Sequence, residues 1–319
     1  MPSAAFTGFG QNLVGLGDSC AGLNSAQTNN LCEGDIDQEC QFLTPQCGAK
    51  LSSSGAFGLN ALCTASMTVD FVGSLSASQV SMMNFTAFSG FTSSNVAGLN
   101  ASCSGLRTAQ VEHFDPKEGC HGLTAGCAAS FSLEGAQGLT KNCLRELDDD
   151  FLGALNTTRV AVIPAQAFLG FDENLEGMKG NCAGFTAAQT AELSSGDTNL
   201  VCHDLQPECL EAAPAEAFSG FSANCTTSWD GEKVLNTTVD QIAAMNPEAL
   251  AALDWKVWIQ LSWQFGPELA ERLTLEQVAQ VPTDSIEGIN SRVGDENFPP
   301  LLDLCNLTAH PVLATTTTR

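Results

Sequence analysis

One nine-residue phrase recurs along the chain and constrains the fold more than any other feature. In LRTAQVEHF (106–114) an apolar anchor opens the phrase, Gln follows four places on, and a second anchor closes it after eight. FTSSNVAGL from Phe91, LTAGCAASF from Leu123, LTKNCLREL from Leu139 and LNTTRVAVI from Leu155 repeat it, most with a small polar residue after the anchor and with Gln or Cys favoured at the fourth place. The first anchors run Phe9, Leu23, Leu43, Leu59, Leu75, Phe91, Leu106, Leu123, Leu139, Leu155, Phe171, Phe185, Leu205, Phe221 and Leu235. Looser copies follow at Leu253, Leu273 and Ile289. A fixed period of this kind is the signature of a repeat architecture, in which each unit buries its apolar face against its neighbours.

A second period lies over the first. Five rungs of about 16 residues make one module: Phe9 to Phe91 is 82 residues, Phe91 to Phe171 is 80, and Phe171 to Leu253 is 82. The cysteines keep the module's phase. Cys20, Cys103 and Cys182 stand three residues before a second-rung anchor, and Cys40, Cys120 and Cys202 three before a third-rung anchor. Cys47, Cys127 and Cys209 follow that anchor by four, whereas Cys63, Cys143, Cys225 and Cys305 follow a fourth-rung position by four. The reading is three modules (1–84, 85–164, 165–246), a decayed and more helical fourth (247–309) and a Thr-rich tail (310–319).

Two backbones fit such a rung. A Ser or Thr followed three residues later by Gln, as at Ser76/Gln79 and Thr186/Gln189, is a helix capping box. Segments such as VAVI (160–163) suit short strands, with PAQAFLGF supplying a tight turn or 3₁₀ piece. The cysteines tip the expectation toward strands. Coils paired as β-structure lie about 4.8 Å apart, a spacing that a disulfide spans, and packed helices stand about 8–10 Å apart. The expected fold is therefore a leucine-rich-repeat-like β-solenoid with short strands and 3₁₀ or short helical turns. The recurring GF and GL glycines read as turn residues.

In such a stack, cysteines of the same phase on neighbouring rungs meet: Cys20–Cys40, Cys47–Cys63, Cys103–Cys120, Cys127–Cys143, Cys182–Cys202 and Cys209–Cys225. Four cysteines per module allow three connectivities, so spacing leaves the others open. Cys32 and Cys305 fall outside this set. About 70 Å apart in a straight stack of that rung spacing, they suit a disulfide between chains joined head to tail.

The phrase VIPAQAFLGF resembles the IP-x-x-AF-x-G core of bacterial surface leucine-rich repeats. The wider pattern is similar to tandem-repeat surface glycoproteins of algae and other protists. The resemblance implies an extracellular or cell-surface role and no particular ligand.

Composition narrows the function. A net charge of −24 argues against nucleic acid and anionic membrane as partners. No apolar run approaches the 18 or so residues of a membrane span. Fourteen cysteines point to an oxidising compartment, and so do six glycosylation sequons, at Asn84, Asn100, Asn156, Asn224, Asn236 and Asn306. Asn156 and Asn236 hold equivalent places in successive modules. The N-terminus lacks the charged and apolar regions of a signal peptide. It opens on AFTGF, in the middle of a rung, which would let another rung stack there.

Signals for chemistry are sparse. His121 and His203 each follow a cysteine, but Gln41 holds the matching place in module one, and cysteines seven apart lack the close pairs of zinc sites. Asp148, Asp149 and Asp150 could attract Ca²⁺ but lack spaced loop ligands. No nucleophile elbow or phosphate-cradling loop is present. Catalytic, cofactor and metal residues are therefore expected to be none. All four Trp lie late in the chain. Trp255, Trp258 and Ile259 form a helical stripe suited to a core-facing cap. The function expected is a structural subunit of an extracellular glycoprotein filament, polymerising with itself head to tail. The alternative is a monomeric binding or adhesion ectodomain.

Overall fold

The computed structural model describes residues 2–6, 9–33, 39–195 and 201–281. The chain divides into two compact units, Met1–Gly177 and Met178–Arg319. Among the described residues every regular element is helical and there is no strand. The β-solenoid expectation is thereby overturned. Val160 to Ile163, read as a strand, belong to the helix Thr157–Val162 and its C-cap.

The reason lies in the phrase itself. The residue after most anchors is an N-cap in extended conformation, and where it is Ser, Thr, Asn or Asp its side chain accepts from a backbone N–H in the first turn, most often three residues on. Thr44, Ser52, Asn60, Thr68 and Ser76 cap Pro45–Lys50, Ser53–Phe57, Ala61–Ser66, Val69–Ser74 and Ala77–Met82 in this way. The caps recur every eight residues. The second anchor of one phrase is the first anchor of the next, and at Leu51, Met67, Leu75 and Met83 it is the C-cap of its helix. Leu51, Met67 and Met83 are as buried as Leu43, Leu59 and Leu75. The 16-residue rung of the sequence reading is therefore two eight-residue units. The Ser76/Gln79 capping box forms as expected, and Ala165–Gly170 is the 3₁₀ piece expected at PAQAFLGF.

In the first unit each helix packs on the third one along. Pro45–Lys50 lies on Val69–Ser74, Ser53–Phe57 on Ala77–Met82, and Ala61–Ser66 on the 3₁₀ helix Phe85–Gly90. The pattern returns where Ala125–Ser130 lies on Asp149–Ala154, Leu133–Gln137 on Thr157–Val162, and Lys141–Glu146 on Ala165–Gly170. One turn thus takes three helices and 24 residues (45 to 69, 53 to 77), extended by the extra residues between 93 and 120. Helices of six residues are too short to persist alone, so their stability comes from caps and packing.

Packing this close depends on the GF and GL glycines, whose role is not the turn expected. A Cβ added to Gly90 or Gly170 would stand 1.9 Å from the carbonyl oxygen of Ala61 or Lys141, the first residue of a helix one turn back. Gly105 and Gly220 stand in the same relation to Ala77 and Ala187. Phenylalanine pairs fill the interior beside them, Phe88 with Phe91 at 5.3 Å and Phe168 with Phe171 at 5.1 Å between ring centroids.

In the second unit Ala187–Ser195 packs on Ala215–Phe218, which packs on Val239–Ala243, and Ala223–Thr226 packs on Pro247–Ala251. The helix expected from Pro247 to Trp258 is broken: Pro247–Ala251 ends, and Asp254 caps a new helix, Trp255–Phe265. Pro267–Arg272 is helical as expected. Val257, Trp258 and Leu261 form the buried stripe, with Trp255 turned outward at 38% exposure. The anchor Ile289, Cys305, Asn306, His310 and the Thr-rich tail lie outside the described residues.

Candidate functional site: a turn-to-turn ladder and a three-sulfur cluster

The fourth place of the phrase faces the neighbouring turn. Where it is Cys, a disulfide forms: Cys20–Cys47, Cys40–Cys63, Cys103–Cys127, Cys120–Cys143, Cys182–Cys209 and Cys202–Cys225. The twelve expected cysteines are all bonded, but every expected pairing is replaced. Cysteines one 16-residue step apart sit on different columns of helices. Residues 23 to 27 apart sit above one another, one turn on. Their Cα atoms are 5.1 to 5.3 Å apart, well inside the spacing assumed for packed helices. The expectation failed because it used the distance between axes of long helices, whereas short helices beside glycine bring backbones into direct contact.

Where the fourth place is Gln, the amide is used completely. Gln79 Oε1 accepts the N–H of its own cap residue Ser76, and Nε2 donates to the carbonyls of Gly48 (2.8 Å) and Leu51 (2.6 Å). Gln110 Nε2 donates to Val80 and Met83, each at 2.9 Å. Gln241 reaches Leu210 and Ala213, and Gln277 reaches Ala243 and Met245. These acceptors lie in the last turn of a helix or just past it, where carbonyls are short of intrahelical partners; Gly48 and Val80 also accept the N–H of their C-cap residues Leu51 and Met83. Asn174 serves Leu144 and Leu147 in the same way.

Two cations occupy clamp positions. Arg159 Nε donates to the Phe131 carbonyl, and Lys233 Nζ to those of Cys202 and His203. Burial pushes the Lys233 ammonium below its ordinary value of 10.5, against the raising influence of Asp230 and Asp204. Buried threonines add a further set of bonds. Thr64 Oγ donates to Ala87 O and Thr190 Oγ to Ala217 O, both at 2.6 Å.

Cys32 ends the long helix Ser25–Glu33 and is fully buried. It keeps its thiol, which points toward Gly58 O at 4.0 Å. The sulfurs of Cys32, Cys40 and Cys63 lie within 4.8 Å of one another. With Cys40 and Cys63 joined, the cluster offers one thiol and no set of thiolate ligands, so no metal is assigned to it. Cys32 is fully buried here, and its expected partner between chains, Cys305, lies outside the described residues.

The other singled-out residues have structural partners. Asp148 caps Asp149–Ala154 through Phe151 N at 2.7 Å, and Asp149 and Asp150 fill the first turn, where negative charge is favoured. His121 Nδ1 is 3.4 Å from Glu146 O, and His203 is 3.4 Å from Asp204. The His113 ring packs tilted against Phe85, 4.6 Å between centroids. Trp229 packs on Phe221 at 5.1 Å.

Of the sequons, Asn100, Asn156, Asn224 and Asn236 are exposed and Asn84 is half-buried. Asn84 and Asn156 cap helices through Oδ1, leaving Nδ2, the atom a glycan takes, outside the cap bond. Asn100 sits at φ 39°, a left-handed kink that Lys179 (φ 44°) and Gly17 (φ 41°) reproduce in the other modules, each three residues before a bonded cysteine.

No protein-family model, curated protein or solved structure matches the chain. The six disulfides, and the lack among the described residues of any helix long and apolar enough to cross a membrane, fit a secreted or extracellular protein.

Proposed function

We propose that the chain is a non-catalytic structural subunit of an extracellular, N-glycosylated assembly, joining copies of itself end to end without a covalent link. One observation carries this reading. The repeating fourth place of the phrase locks turn to turn, by disulfide, amide clamp or cation, in both units. A sequence spending its recurring positions on internal cohesion suits a load-bearing or spacer role. The motif resemblance to tandem-repeat surface glycoproteins supports the same reading. The test is light scattering and electron microscopy of protein from an oxidising host across a range of concentrations. Concentration-dependent linear particles that survive mild reduction of exposed disulfides are the expected result. A monodisperse monomer at every concentration would overturn it.

Exposed Trp255 and Trp263 (50%) favour a second reading, a monomeric binding ectodomain. Aromatic faces of this kind hold sugar rings or peptide side chains. A glycan-array screen of wild type against Trp255→Ala/Trp263→Ala separates the two: loss of a bound glycan with the double substitution supports binding.

A further inference from the structure

Modules one and three differ from module two in the spacing of their second rung. Leu23 to Leu43 and Phe185 to Leu205 are both 20 residues, whereas Leu106 to Leu123 is 17. The extra residues lengthen one helix, to nine residues in both Ser25–Glu33 and Ala187–Ser195. Counting nine from the anchor reaches Cys32 in the first and Ser194 in the third. Both are buried, and Ser194 Oγ has no hydrogen-bond partner among the described residues. Ser194 therefore shows that a side chain of this size fits the place without a bond of its own, and that sulfur adds chemistry rather than shape.

What sulfur adds is set by its surroundings. Cys32 Sγ shares a 4.8 Å cluster with the Cys40–Cys63 disulfide. We propose that Cys32 is an internal exchange thiol, which re-pairs the Cys40–Cys63 staple without external oxidant or reductant. The Cys32 thiol loses its proton, and the thiolate attacks one sulfur of the disulfide. A new S–S bond forms to that sulfur as the old one breaks. The bonding electron pair leaves on the other cysteine, which takes up a proton, so one thiol and one disulfide stand on each side. Covalent tethering holds the reactants at a high effective concentration, so burial slows external thiols and leaves this step open. Module one then carries a staple that can change partners, while the staples of modules two and three are fixed.

The experiment uses the full oxidised chain, equilibrated in mildly alkaline buffer, quenched in acid, alkylated at low pH under denaturing conditions and mapped without reduction. The expected map shows Cys40–Cys63 together with Cys32–Cys40 or Cys32–Cys63, and single linkages at Cys120–Cys143 and Cys202–Cys225. Cys32→Ser, whose side chain the third module already accommodates, should leave Cys40–Cys63 alone. It should also slow reduction of that bond by glutathione about tenfold, toward the rate of Cys202–Cys225. Ser194→Cys should give the third module a second linkage. The proposal falls if wild type shows only Cys40–Cys63 with Cys32 alkylated, or if new linkages in Cys32→Ser reveal general scrambling.

Discussion

Two junctions of the first unit join equivalent helices by different means. Cys40 and Cys63 tie a 3₁₀ turn to Ala61–Ser66 through a disulfide. At the equivalent places of the neighbouring column stand Ala56 and Gln79, again 23 residues apart, and there the glutamine spans to the carbonyls of Gly48 and Leu51. Both columns repeat at the same interval. The turn spacing is therefore set by the backbone, through the capped short helices and the glycines, and the side chain at the fourth place only fastens it. Disulfides and amide clamps are interchangeable fasteners on one geometry.

Opening a staple gives the largest expected effect. Cys103→Ser/Cys127→Ser removes a bond closing 24 residues and should cost about 3 kcal/mol in the chain-entropy model, read as a fall in the denaturation midpoint. Opening a clamp should cost less. Gln110→Ala leaves the Val80 and Met83 carbonyls without this donor and should cost about 2 kcal/mol by the same measurement. A cost near zero would mean that water replaces the clamp, and the two fasteners would no longer be alike.

Exchanging one fastener for the other is the sharper test. Ala56→Cys/Gln79→Cys should oxidise spontaneously to a disulfide and leave stability within about 1 kcal/mol of wild type, since the new staple offsets the lost clamp. Failure to form the bond would show that the columns are not equivalent. Lys179 holds a conformation that Gly17 occupies in module one, so Lys179→Gly should stabilise the turn at Cys182–Cys209 by about 1 kcal/mol.

The smallest effect is the pH dependence of the Lys233 clamp. Its folded-state value lies below 10.5, so the unfolded chain binds more protons in the interval between the two. Stability should rise with pH across that interval, and Lys233→Gln should flatten the rise in alkaline denaturation curves.

Much of this was written in the sequence and misread by a factor of two. The phrase shows anchors at both ends and Gln or Cys in the middle. What it does not show is that Leu51, Met67 and Met83 each end one helix and introduce the next, because a rung of 16 and a rung of eight share every anchor of the longer period. The Ser76/Gln79 capping box favoured helices, and a spacing argument drawn from long helices outweighed it. The clamp was legible as a recurring Gln and illegible as a contact, since its acceptors lie 28 and 31 residues back. Gly90 and Gly170 read as turns because sequence cannot tell a backbone bend from a backbone approached by another.

The one-turn span of each staple also bears on how the chain is made. During synthesis Cys20 meets Cys32 and then Cys40 before its own partner, Cys47, exists, and Cys103 meets Cys120 before Cys127. An oxidase working on the nascent chain is offered the wrong partner first in each module. Correct product therefore depends on helices stacking ahead of oxidation or on an isomerase repairing early errors. Expression hosts with and without that repair should differ in yield far more than in the quality of what they release.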